Sequence, residues 1–113
     1  MRTGIYVYEN TTLTIEATEP VVLTSLDNRT ISFGNTSAEP KQTMKVDRGI
    51  YRALTESKIS VTSEDIVDID MVIVADDKDP FPDASAKATQ AFNVQPSTLT
   101  SFFKIMGLKS AAF

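Results

Sequence analysis

From Thr12 to Thr18 apolar and polar residues alternate without a break: Leu13, Ile15 and Ala17 are separated by Thr14 and Glu16. A period of two puts one set on a buried face and the other in water, which predicts a half-exposed β-strand. Shorter stretches read the same way. Gly4 to Tyr8 forms one, Val21-Val22-Leu23 follows Pro20, and Thr30 to Phe33 follows an Asp27-Asn28 turn signal. Residues 34–41 collect Gly34, Asn35, Ser37 and Pro40 and read as a loop. Met44 and Val46 then alternate with Thr43, Lys45 and Asp47, Gly49 marks a bulge or turn, and Ile50-Tyr51 and Ile59/Val61 supply two further strands.

Residues 66–75 carry the strongest strand pattern. Val67, Ile69, Met71 and Ile73 share one face, while the other changes from Asp68 and Asp70 to Val72 and Val74. The pattern predicts a strand running from an exposed rim into a covered interior. Beyond it, Asp76 to Asp83 contains Pro80 and Pro82, and prolines two apart predict an extended connector without a helix. Residues 84–92 are Ala-rich and suit a short helix. A second is predicted over 97–106, capped by Ser97 or Thr98 and ended by Gly107, with Leu99, Phe102, Phe103 and Met106 at i, i+3, i+4 and i+7.

The prediction is therefore a mainly β protein: a small sandwich or barrel-like domain of seven or eight short strands over 1–75, an acidic Pro-containing connector over 76–83, and one or two helices over 84–113. The last helix is expected to cover the open end of the sheets. Arg2-Thr3-Gly4-Ile5-Tyr6 echoes Asp47-Arg48-Gly49-Ile50-Tyr51, and Leu13/Ile15 and Ile59/Val61 follow at nearly matching spacing. A single pair is not an array, and the echo reads as a coincidence between strands built from the same few residue types.

Composition removes whole classes of chemistry. The chain has 113 residues with no Cys and no His, which excludes disulfides, Cys or His metal sites, Cys nucleophiles and the Ser-His-Asp triad. No run of about 18 apolar residues is present, so no membrane span is expected, and the start of the chain lacks the apolar stretch of a signal peptide. The expected location is the cytoplasm, or a particle assembled there. The 14 threonines concentrate in residues 3–62, where their stiff branched Cβ suits a half-exposed pleated surface. Asn10, Asn28 and Asn35 open N-x-[ST] triplets, which a Thr-rich background produces without any link to glycosylation.

The Gly4-Ile5-Tyr6 string resembles the opening of GIY-YIG nucleases over those three residues. That family continues with a Tyr-Ile-Gly strand; this chain has Thr14-Ile15-Glu16 nearby, and the family's catalytic residues have no matched positions, so the class is excluded. No glycine-rich phosphate loop occurs.

Charge is more informative. The overall net charge is −4, yet residues 64–83 hold eight of the 15 acids and one of the 11 bases. The remainder, with seven acids and ten bases, is mildly basic. An acidic pole on a basic body can align subunits head to tail or steer a basic partner; equally, it can solvate a sheet rim. Asp68/Asp70 and Asp77/Asp79 lack the calcium-loop pattern, so no metal or cofactor is expected. Lys41, Lys45, Arg48, Arg52 and Lys58 lack the aromatic cluster of a single-strand binder, and no nucleic-acid partner is expected.

The amphipathic C-terminal stripe suits either the protein's own core or a partner's groove reached across the stiff connector. The candidate partner-binding residues are Asp76, Asp77, Asp79, Phe81, Leu99, Phe102, Phe103 and Met106. The functional expectation is a non-catalytic structural or assembly protein, homo-oligomeric, of the kind found in a phage or virion particle. The alternative is a cytosolic binding or inhibitor module that sets the acidic 64–83 rim against a basic site.

Overall fold

A computed structural model describes residues 2–53, 59–65, 69–74 and 82–111; at 2, 71–74, 82–84 and 104–111 it describes the backbone. The strands are β1 (Arg2–Val7), β2 (Thr11–Glu16), β3 (Val21–Ser25), β4 (Thr30–Phe33), β5 (Lys41–Val46), β6 (Gly49–Ala53), β7 (Ser60–Ser63) and β8 (Ile69–Val74). Helices α1 (Pro82–Phe92) and α2 (Pro96–Ala111) follow. The protein is mainly β, with eight strands among the described residues, in two antiparallel sheets ordered β4-β3-β6-β1-β8 and β5-β2-β7.

Alternation along the strands builds three layers. Leu13 and Ile15 on β2 meet Ile5 and Val7 on β1, Leu23 on β3, Phe33 on β4 and Tyr51 on β6, forming an apolar core between the sheets. The opposite face of the five-stranded sheet carries Tyr6, Tyr8 and Ile50, which pack with Ala88 of α1 and Leu99, Phe102 and Phe103 of α2. The helices thus cover a face of the five-stranded sheet, not the open end expected from sequence. The reason lies in β1: both of its faces are apolar enough to need cover, since Ile5, Tyr6 and Val7 are all fully buried.

The local chemistry of the connections explains three differences from the sequence reading. Both helices open on a proline, Pro82 and Pro96, whose missing N–H costs nothing at a first helical position. Pro82 and Asp83 therefore belong to α1 and not to the connector. Gly107 lies inside α2, which runs on to Ala111. Instead, Asn93 terminates α1: at φ 53° it takes the left-handed position, and the Val94 amide donates to the Thr89 carbonyl at 3.1 Å. Gly49 is the first residue of β6, where a Cβ would stand 3.2 Å from the Tyr51 ring. The glycine allows that ring to lie against its backbone.

The echo between Gly4-Ile5-Tyr6 and Gly49-Ile50-Tyr51 does not mark equivalent positions, since Ile5 and Tyr51 face the inter-sheet core while Tyr6 and Ile50 face the helices. The two segments pair antiparallel in one sheet, with Ile5 opposite Tyr51 and Tyr6 opposite Ile50. Likewise Ile15 of β2 stands opposite Val61 of β7. Exchanging β1, β2 and β3 for β6, β7 and β8 maps the pairs β1·β6 and β2·β7 onto themselves and β3·β6 onto β8·β1. At the level of strand order, a three-strand arrangement therefore recurs. Strands β4 and β5 are added to the first copy, and the helices follow the second.

Candidate functional site

Three features of the molecule could carry function: the helix-covered face, a groove beside it and the open strand edges. On the covered face, the Tyr6 ring meets Phe103 edge-on at 5.6 Å, Tyr8 stacks on Phe92 at 5.7 Å, and Phe102 and Phe103 are 5.2 Å apart. Leu99, Phe102 and Phe103 are buried in this cluster. Each contributes roughly 1.5–3 kcal/mol by leaving water. The stripe predicted from spacing is real, but these three residues serve the protein's own sheet. In the single chain they cover Tyr6 and Ile50. Asp76, Asp77, Asp79 and Phe81 lie outside the described residues, and Met106 lies where the backbone alone is described.

Charged and hydroxyl groups rim that seat. Tyr8 donates its hydroxyl to Asp70 at 2.8 Å, and the Lys87 ammonium lies 3.9 Å from the same carboxylate and 4.1 Å over the Tyr8 ring. The Tyr6 hydroxyl lies 3.3 Å from Ser85 Oγ. Arg48 lies 4.2 Å over Phe92 and donates to the Ala91 carbonyl at the end of α1. Arg52 lies 4.6 Å over Phe102 and donates to its carbonyl at 3.1 Å. Burial holds the Tyr6 and Tyr8 hydroxyls above their ordinary value; for Tyr8 the bond to Asp70 adds to it. Together these contacts fasten α1 and α2 to the sheet. Sequence reasoning missed the set, because its members come from β1, β6, β8 and both helices.

Beside this seat, three turns surround a shallow groove of about 270 Å³, lined by Leu26, Arg29, Arg48, Ile50, Phe92 and Val94 among others. Its cations already have local work. Arg29 donates from Nε to both Asp27 oxygens at 3.1 Å, and Arg48 is committed to the end of α1. Asp27, held by Ser25 first and then by Arg29, titrates below the usual carboxylate range. No group of three or more potential metal ligands occurs among the described residues. No described helix is long and apolar enough to cross a membrane.

The three-stranded sheet is different in kind. Its outward face is polar, with Thr14 and Thr43 hydroxyls 2.9 Å apart and with Glu16, Lys41, Lys45, Ser60 and Thr62 exposed. Met44 on the edge strand β5 is 40% exposed, the large hydrophobic side chain that the described surface leaves in water. Of the glycosylation triplets, Asn35 is fully buried and donates to the Ile15 and Pro40 carbonyls, both at 2.8 Å, which excludes it as an acceptor site in the folded state. No protein-family model, curated protein or solved structure matches this chain.

Proposed function

We propose that the protein is a non-catalytic assembly component that works through protein–protein contacts as a homo-oligomer, of the kind built into a phage or similar particle in the cytoplasm. The supporting observation is the uneven distribution of charge along the chain. Lys41 and Lys45 stand exposed with Met44 on β5, whereas Glu64 and Asp65 stand exposed before β8 and open the acidic 64–83 stretch. Segregation of opposite charge along one chain favours ordered self-contact. The test is solution mass against protein concentration at low and high salt. Assembly predicts a mass that rises with concentration and falls with salt; a monomer at every condition overturns it.

The second reading, a binding or inhibitor module for a basic partner, draws on the same exposed Glu64 and Asp65. It predicts a monomer that binds a Lys/Arg-rich surface with a steep salt dependence, weakened further when Asp76, Asp77 and Asp79 are changed to Asn.

A further inference from the structure

Each sheet has two edges, and among the described residues none of the four is paired on its outer side. Two of them, β4 and β7, have four residues; the other two, β5 and β8, have six. The recurrence in strand order gives β8 a particular status. In the first copy of the motif, β4 covers the outer edge of β3. In the second copy, β8 takes the place of β3, and no described strand takes the place of β4.

The two long edges differ in chemistry. Strand β8 reads Ile-Asp-Met-Val-Ile-Val, and in sequence it lies between Glu64, Asp65 and Asp68 on one side and Asp76, Asp77 and Asp79 on the other. Strand β5 reads Lys-Gln-Thr-Met-Lys-Val, with Lys41, Thr43, Met44 and Lys45 exposed. Pairing β8 with a second β8, or β5 with a second β5, brings like charges together. Pairing β8 with β5 brings opposite charges together and places an apolar strand beside Met44. The two edges also lie at opposite flanks: β5 contacts β4, which is at the far end of the five-stranded sheet from β8.

We propose that the β8 edge of one copy pairs antiparallel with the β5 edge of a second copy, joining the five-stranded sheet of one to the three-stranded sheet of the next. This rests on the assembly reading and specifies its interface. Because donor and acceptor edges differ, the contact is heterologous and repeats, giving a ring or an open chain according to the rotation at each junction. Six-residue strand addition buries little area, so the contact is weak and strongly dependent on concentration and salt.

The experiment is sedimentation of the full chain and of two charge-reversed variants, Lys41→Glu/Lys45→Glu and Asp76→Lys/Asp77→Lys. Asp76 follows the last residue of β8, Val74, by two positions in sequence. Circular dichroism first shows that each variant is folded. The wild type should grow in mass with concentration, each variant alone should remain monomeric, and an equimolar mixture of the two should regain the heavier species. Recovery follows because each variant's unchanged edge now faces a complementary edge on the other. A wild type that assembles while both variants assemble equally well overturns the edge pairing and leaves the assembly reading standing. Folded variants whose mixture stays monomeric also overturn the pairing. A wild type that is monomeric at every concentration overturns both readings.

Discussion

The two faces of the five-stranded sheet are buried by different means. Between the sheets, buried aliphatic residues from six strands pack with Phe33 and Tyr51. On the helix side the contact is aromatic at its centre, with cations and hydroxyls at its rim: Arg48 on Phe92, Arg52 on Phe102, and Lys87 on Tyr8. The first arrangement is made by strand pairing, and its loss is the loss of the fold. The second attaches two helices to a sheet that already has its partners, so it can be weakened separately. A segment held in this way is a seat on the domain; the strand edges are where the chain still has backbone groups to offer.

The largest test of this contrast is a pair of truncations. Phe33→Ala and Phe103→Ala should each cost about 3–5 kcal/mol. The expected outcomes differ in kind. Phe33→Ala should lower a single cooperative urea transition. Phe103→Ala should release the helices first, with amide exchange rising in α1 and α2 while β1, β2 and β6 stay protected. Equal loss of protection in helices and strands would break the distinction.

Alkaline pH tests both faces together. Burial raises Tyr6 and Tyr8 on the helix side and Tyr51 in the inter-sheet core above their ordinary value of 10.0. Because the unfolded chain releases these protons first, the stabilisation is complete below pH 10 and is lost as pH rises through the folded values. A tenfold difference in acidity between the folded and unfolded chain corresponds to about 1.4 kcal/mol. Urea midpoints should fall steeply above pH 10, and less so in Tyr51→Phe; midpoints unchanged to about pH 11 would contradict the burial assigned to the three hydroxyls.

Gly49→Ala probes the inter-sheet side at one atom. The added Cβ meets the Tyr51 ring at 3.2–3.3 Å, and that ring is fixed by full burial and by the hydrogen bond from its hydroxyl to the Asp47 carbonyl at 2.7 Å. Overpacking should outweigh the gain in backbone stiffness and cost about 1–2 kcal/mol. Tyr8→Phe, on the helix side, keeps the ring and removes the bond to Asp70. With Asp70 part-exposed, the cost should be near 1 kcal/mol, seen as faster exchange in α1. A larger loss from Tyr8→Phe than from Gly49→Ala would reverse the ranking of the two faces.

Particular residues show what could be read in advance. Thr12 to Thr18 predicted β2 and its wet face because a strand's faces alternate with every residue. The spacing of Leu99, Phe102 and Phe103 predicted one apolar helical face for the same local reason. Gly107 misled: a glycine ends a helix where the chain takes a left-handed turn, and α2 runs through Gly107 to Ala111, while the left-handed residue Asn93 ends α1. The proline rule also needed position, since Pro82 starts a helix that it could not have interrupted. The Tyr8–Asp70–Lys87 contact joins the residue after β1 to β8 and α1, and no local pattern connects such distant residues.

The sequence by itself determined which residues face water and which avoid it, because alternation and helical spacing are short-range properties of a chain with two soft dihedrals per residue. It also determined the charge separation between residues 64–83 and the rest. The tertiary structure alone decided which apolar faces meet. Tyr6 turns to the helices while Ile5 turns to the second sheet, the two Gly-Ile-Tyr segments become neighbours, and β5 and β8 become edges at opposite flanks. Those choices depend on the total area that can be buried at once across the whole chain, a sum to which every strand contributes and which no single segment contains.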